Sequence, residues 1–523
     1  MTSLDEIVDS LSKEIREERD NIKQIVITLL SAWTTNPQNT RILAPSGEGK
    51  TYLVTKCGEL FPQEFIITLA KATPQSFKYA LSSKRVVENG SGNWQDYDVA
   101  IQPLEEELSK TKDKGKQQEL KEQIKEIRES SCNLVDFTNR IIILVDSQSF
   151  ELFESLKTTL SHDQQNIQSF SVNKSKSGTI LGQKFVIRGF PALIYCSAKD
   201  EQKRDDTNEI NTRFNTISLN ASSKKYREML QLEGLRSGLP KSIYGEEVIS
   251  DEEVEQIKEK IVNLIEKIKI NDEIVNPYSI GLSNLFKDDA GYRTRQFKVL
   301  NNNIKILTLT NSESRYILRY DGEEFPISTR QDIEEAVSLT KEQKEIQAYK
   351  IKFFNDYIRP ALLEQGKEKQ LVTGSIRCLT ASGIIDVLSH KGINQDRQRM
   401  QETFLKPLGE HGFLDYFLDE DNKSRYVYAV AEKYVSQDAD VESTLIDTST
   451  LDDSCVKSFV NRYVEQRFNR EEIALKDADG TNITPKQLID ILSQIDAKTT
   501  QNRHKITNNE ASMSIEKERQ EIL

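Results

Sequence analysis

The chain has 523 residues, enough for three or four domains at about 150 residues each. Its 71 basic and 83 acidic residues leave a formal charge of −12, which excludes a wholesale basic coat for nucleic acid but not a local basic face. At 37% hydrophobic the chain can bury a core, so wholesale disorder is excluded, and its five scattered cysteines and four histidines show no zinc-ligand spacing. Reduced, buried thiols in a cytoplasmic protein are the expectation. The opening MTSLDEIVDSLSKEIREERD is too polar for a signal peptide, and the apolar run Ile141 to Val145 is far too short to span a membrane.

In chain order, Leu4, Ile7, Val8, Leu11, Ile15, Ile22, Ile25, Val26 and Leu29 recur at helical spacing. A short strand at 41–43 runs into a glycine-containing loop and a helix from about Lys50 to Leu60, and a second strand follows at 65–69. Residues 103–129 carry eight acids and seven bases, with leucines and isoleucines at helical spacing on either side of Lys114-Gly115. They read as a helical hairpin inserted into the core. Two further apolar strands, 141–145 and 192–196, have the continuous hydrophobic character of strands covered on both faces. Alternating strands and helices over 40–220 predict an α/β fold with a mostly parallel sheet.

An amphipathic helix at 251–269 opens a helical region, residues 345–430 read as a small α+β unit, and the polar tail after about Thr499 reads as disordered. The expected division is a core at 1–235, a helical linker or lid at 236–344, the small unit at 345–435, a C-terminal helical region at 436–498 and the tail at 499–523.

The most informative stretch is Ala44-Pro45-Ser46-Gly47-Glu48-Gly49-Lys50-Thr51, followed by Tyr52. It fits the P-loop pattern with Ala in place of the first Gly. Gly47 and Gly49 let backbone N–H groups converge on phosphate oxygens, Lys50 brings an ammonium to the β/γ-phosphates, and Thr51 offers a hydroxyl to Mg²⁺. The helix that follows directs its positive end at the same anion. ATP and Mg²⁺ are therefore the expected ligands, with residues 44–52 lining the site. Glu48 adds a negative charge there, tolerable if its side chain turns outward.

Asp146, ending the apolar strand Ile141 to Val145, would hold Mg²⁺ through water. The next residue is Ser147, so a carboxylate that activates water has to come from Glu151, Glu154 or Asp163, with Asp163 the first choice. Ser197 ends the strand after Cys196, where a hydroxyl could sense the γ-phosphate. Arg213, with Arg204 competing, could stabilise transition-state charge in cis or across a subunit interface.

This order of elements resembles the AAA+/helicase-like P-loop ATPases, particularly those accompanying replication proteins of archaeal and phage mobile elements. Thr73-Pro74-Gln75-Ser76, Leu160-Ser161-His162-Asp163, and Val275-Asn276-Pro277-Tyr278 followed by Arg293, Arg295, Phe297 and Arg315 look like features of that group. The resemblance covers roughly residues 20–320. It implies ATP-driven work on DNA, with a homo-oligomer as a further expectation.

Residues 376–430 read as a winged helix: a helix from Leu379-Thr380, a turn at Lys391-Gly392, a second helix from Asn394 to about Leu408, and two strands joined by a polar turn at 419–423. In such domains the second helix enters the major groove and the wing touches the backbone. Arg397, Arg399, Lys406, Lys423 and Arg425 are the candidate DNA-binding residues. Residues 379–430 hold six bases against eight acids, so DNA affinity should be modest and fall with salt. Two other functions fit the same residues: a signalling-type ATPase switch, and a transcriptional regulator that binds ATP without turnover.

Overall fold

The computed structural model describes residues 3–87, 94–146, 148–162, 164–174, 180–198, 212–245, 248–270, 272–286, 293–343, 346, 348–371, 374–419, 425–439, 442–444, 446–448, 451 and 453–493. The expected disordered tail, Asp163, Ser147, Arg204 and Lys423 lie outside these residues.

The N-terminal unit is α/β. After helices α1 (Ser3–Ser12) and α2 (Arg19–Leu30), strand β1 (Asn39–Leu43) enters a loop, followed by α3 (Lys50–Gly58) and β2 (Ile66–Leu69). Helix α4 (Pro74–Leu81) leads through β3 (Ser82–Val87) and β4 (Trp94–Asp96) to a helical pair, α5 (Tyr97–Lys110) and α6 (Lys114–Ser130). Then come β5 (Ser131–Asp136), β6 (Ile141–Leu144), α7 (Phe150–Ser161), β7 (Asn166–Lys174), β8 (Ile180–Arg188), β9 (Ala192–Ser197) and β10 (Asn215–Ser218).

Five of these strands form one sheet in the order β10-β1-β9-β6-β2, and every pairing is parallel. Because side chains alternate along a strand, each face of this sheet collects its own core. Ile42, Ile141, Ile143, Ile194 and Cys196 pack with Leu53, Val54 and Cys57 of α3 and with α1 and α2. Ile142, Leu144, Leu193 and Tyr195 pack on the opposite face with Leu152, Phe153, Leu156 and Leu160 of α7. Nine consecutive residues of α2, Ile22 to Leu30, are buried, so this helix is covered on all sides.

A second sheet, β4-β3-β5-β8-β7, was not anticipated from the sequence. Strands β5 and β8 run parallel to each other and pass through tight connections into β6 and β9, so this sheet adjoins the amino-terminal edge of the parallel one. The helical hairpin stands on it. Asp96 and Asp113 cap its two helices, Ile101, Leu120 and Ile124 are its buried residues, and Lys116–Glu107 (2.6 Å) and Arg128–Glu105 (3.0 Å) tie its arms together. These exposed pairs contribute little stability.

Helices Asp251–Ile270, Arg293–Thr310 and Arg330–Leu339 share the core of α1, α2 and α3. The sheet beside them joins Ile317–Tyr320 and Glu323–Pro326 to Ile473–Lys476 and Asn482–Ile483. The C-terminal region expected at 436–498 as a separate piece thus completes the middle unit, with Val456, Val460, Leu475 and Leu488 in the same core. Between these two parts of the chain lies the small unit, whose ends are joined by the antiparallel pair Lys341–Gln343 and Glu442–Thr444.

That small unit has its own core, including Phe354, Ile358, Ile384, Leu388, Met400, Phe404, Leu408 and Phe413. It contains a helical stretch over 348–365, the helix Ala381–His390, and a helical run over 397–410. Strands Leu414–Leu418 and Tyr426–Val430 pair antiparallel, and Gly374–Thr380 adds to the second of them.

Among the described residues, no helix is long and apolar enough to cross a membrane.

Candidate functional site

Loop 44–49 leaves the carboxyl end of β1, which lies inside the sheet between β9 and β10. In open α/β sheets the crevice outside the carboxyl ends of the strands, where the order of connection reverses, is the usual ligand site. The hydrogen bond from the Ala44 N–H to the carbonyl of Ser197 (3.2 Å) fixes where the loop departs. Gly47 and Gly49 both have φ of 89°, the left-handed region that favours glycine, and a Cβ at either position would meet no atom within 4 Å. Glycine is required there by backbone conformation rather than by crowding, and the loop faces open space. Ala44 is buried, Pro45, Glu48, Gly49 and Lys50 are half-buried, and Ser46, Gly47, Thr51 and Tyr52 are exposed.

The Lys50 ammonium folds back on its own loop and donates to the carbonyls of Ala44 (2.7 Å) and Pro45 (2.6 Å). Burial holds its pKa below the ordinary lysine value. Beside it, burial pushes the Cys196 thiol up to about 12, so Cys196 stays protonated at neutral pH. Lys50 and Asp146 both lie close enough for their charges to act on this thiol, which brings the ends of β1, β6 and β9 to one place. Asp146 is exposed, and Ser197 is fully buried beside Leu43.

Several residues that shape this site carried no sequence signal. Gln148 donates to the carbonyls of Ala70 (2.8 Å) and Asp146 (2.7 Å) and accepts from the Ala72 N–H (2.9 Å), pinning the end of β2 to the segment after β6. Its amide is committed to backbone, which makes it a brace. Glu48 turns toward the helix Ser223–Gly238, with its side chain only 19% exposed. Its carboxylate accepts from the Tyr226 hydroxyl at 3.0 Å and lies 3.8 Å from Lys225.

Lys225 is the centre of a buried cluster on the helix Ser223–Gly238. Its ammonium meets Glu18 at 2.7 Å, with side-chain exposures of 3% and 2%, and donates to the carbonyls of Asn220 and Glu48. Burial pushes the Glu18 carboxyl up, opposed by Lys225 and by donors from Asn21 and the Asn220 backbone. Tyr52 donates to Glu14 (3.0 Å), and Arg236 reaches both groups. Loop 44–51 is thereby tied to the segment after β10 through Lys225 and Tyr226.

Arg213 stands elsewhere. It precedes β10, which runs parallel to β1, so it lies at the amino edge, opposite the loop. Five residues of strand, at about 3.3 Å each, separate the two edges by roughly 16 Å. Arg213 donates to Ser161 Oγ (2.6 Å) and its carbonyl accepts from Asn39 (3.5 Å). A role for Arg213 on phosphates held by its own loop is excluded by strand polarity. Glu151 is exposed on α7, and Glu154 lies 3.8 Å from Lys157 on the same helix. Arg315 is a framework residue, forming a two-pronged buried pair with Asp332 at 2.9 and 2.6 Å.

On the small unit, Arg397 and Arg399 are exposed in the first turn of the second helix, where Asp396 caps the backbone. Lys406 is exposed further along, and Arg425 lies 3.6 Å from Asp419. The strand pair adds exposed Tyr416 and Tyr426, with rings 5.8 Å apart, and Arg397 is near enough to Tyr428 to act on its hydroxyl.

No group of three or more His, Cys, Asp or Glu suited to hold a metal occurs among the described residues. Mg²⁺ at loop 44–51 would instead rest on Thr51, Asp146 and the phosphates themselves, an arrangement that needs no such cluster. Comparisons with models of known families and with curated proteins find no match for this chain.

Proposed function

We propose that this protein is an ATP-binding P-loop ATPase of the AAA+/helicase-like type that works with DNA. The observation that carries the reading is loop 44–51 itself. It follows an interior strand of a parallel sheet, has both glycines in the left-handed region, opens a helix, and gathers Lys50, Asp146 and Ser197 at one edge.

The chemistry of these residues follows. Backbone N–H groups of the loop and the first turn of α3 would receive phosphate oxygens, and Lys50 would exchange its carbonyl partners for the terminal phosphates. Thr51 and Asp146 would hold Mg²⁺, which supplies charge neutralisation between β- and γ-oxygens when bound. Ser197 is fully buried, so in place of the expected contact with the γ-phosphate it would anchor the base of the loop, its carbonyl accepting from the Ala44 N–H. Because Lys225 grips the Glu48 carbonyl, a loop that closes on phosphate would pull on the helix Ser223–Gly238. The small unit, as a winged helix, would present Arg397, Arg399 and Lys406 to DNA, with Tyr416 and Tyr426 able to stack on bases.

A second reading, an ATP switch with little turnover, is favoured by one observation. Arg213 stands at the far edge, so a single chain does not bring it to its own nucleotide. ATPase rate with and without DNA, measured alongside molecular size, separates the two. The motor reading expects DNA to raise the rate several-fold; a rate that stays at background in every oligomeric state supports the switch.

A further inference from the structure

In the small unit, strands Leu414–Leu418 and Tyr426–Val430 pair with Leu414 opposite Val430, Tyr416 opposite Tyr428 and Leu418 opposite Tyr426. Side chains alternate along a strand, so these six residues share one face. At the base of the pair that face is core: Leu414, Tyr428 and Val430 pack with Phe404, Leu408 and Phe413. Toward the turn the cover ends, and Tyr416, Leu418 and Tyr426 are 51%, 49% and 48% exposed.

The rings of Tyr416 and Tyr426 meet edge to face, with centroids 5.8 Å apart and planes at 75°, so they do not stack on each other. That geometry leaves ring faces open to a flat partner. The second helical run borders the same face. Gly409 lies so close to the Tyr416 ring that a Cβ there would meet it at 2.8 Å, and Arg397, at the start of the run, is near enough to Tyr428 to act on its hydroxyl.

An exposed aromatic pair beside an arginine suits nucleic acid, and the charge of the turn favours one form of it. Residues 419–425, Asp-Glu-Asp-Asn-Lys-Ser-Arg, carry three acids against two bases, and Arg425 lies 3.6 Å from Asp419. A wing that rides on duplex backbone needs cations at its tip, because phosphates are what it meets there. The faces of bases are hidden in a duplex and open in an unpaired strand, where they stack on aromatic side chains. An unpaired strand can also lay its bases on the rings while its phosphates turn toward Arg397 and away from the acidic turn.

We infer that this face takes unpaired bases, so that the small unit binds single-stranded DNA in preference to duplex. The inference rests on the proposed reading of the small unit as the part that binds DNA. Tyr416 and Tyr426 form the platform, Leu418 extends it toward the turn, and Arg397 meets a phosphate.

Fluorescence anisotropy of the full chain with a short labelled oligothymidylate, and with a labelled duplex of the same length, tests it. The single strand should bind at least fivefold more tightly than the duplex. Tyr416→Leu with Tyr426→Leu keeps apolar bulk but removes both rings, and should cost the single strand at least tenfold. Tyr416→Phe with Tyr426→Phe keeps the rings and should bind it as the wild type does. Because Tyr416 packs against Gly409, Tyr426→Leu alone is the second variant and should weaken single-strand binding several-fold with an unchanged melting temperature. Duplex bound as tightly as the single strand overturns the inference and leaves the DNA reading standing, as do leucine variants that bind the single strand normally. If neither nucleic acid binds, the DNA reading fails and the inference with it. Leucine variants that alter molecular size but not DNA affinity also overturn it, assigning the face to a second copy of the chain.

Discussion

The carboxyl edge of the parallel sheet offers one ammonium, Lys50, and a run of backbone N–H groups from loop 44–51 and α3. The amino edge gathers Arg213, Arg295 and Lys298 around a cavity, with no comparable loop. A backbone cradle is local: its residues are consecutive, its glycines have fixed φ, and its cation sits at the helix start. A side-chain cluster is assembled from segments far apart in the chain, here near 39, 161, 213 and 298, and exists only once the sheet has formed.

The sharpest way to break the carboxyl-edge account is at its buried support. Lys225→Met leaves the Glu18 carboxylate buried and unpaired, and removing one partner of such a pair costs about 3–5 kcal/mol. Thermal unfolding should show a large drop in melting temperature, with the Glu18→Gln, Lys225→Met double variant recovering part of it. Equal stability of the single variant and the wild type would remove the pair from the account.

On the small unit, Arg397→Ala with Arg399→Ala should weaken DNA binding several-fold, and the slope of log affinity against log salt should fall by about one for each phosphate that is no longer neutralised. Fluorescence anisotropy across a salt series measures both.

The smallest effect is the pH dependence of binding at the carboxyl edge. Lys50 titrates below its ordinary value of 10.5 because burial penalises its charge, and phosphate favours the charged form and raises that pKa. ATP affinity is therefore full below the free-state pKa of Lys50. It falls as pH rises through that value and levels off above the pKa of the complex. A Lys50→Arg variant should show no such fall.

What the sequence made legible was the local part of this picture. Apolar runs at 141–145 and 192–196 announced buried strands, the loop 44–51 announced its conformation, and the leucine spacing around Lys114-Gly115 announced the hairpin. The second sheet was hidden because β3 begins Ser-Ser-Lys-Arg and β7 reads Asn-Ile-Gln-Ser-Phe-Ser, without the hydrophobic run or clean alternation that marks a strand. Arg213 was misplaced for a related reason. Strand β10 is only Asn-Thr-Ile-Ser, and without its polarity nothing says which edge of the sheet the arginine occupies. The pairing of 317–320 with 473–476 was equally invisible, because the whole of the small unit intervenes between the two strands.

Loop 44–51 is proposed to hold the phosphates of ATP. Calorimetric titration of the wild type and Lys50→Ala with ATP and Mg²⁺ at neutral pH tests it most directly. One ATP should bind per loop in the wild type, and Lys50→Ala should bind it at least a hundredfold more weakly with the fold intact by circular dichroism. Equal affinity in the two proteins would contradict it.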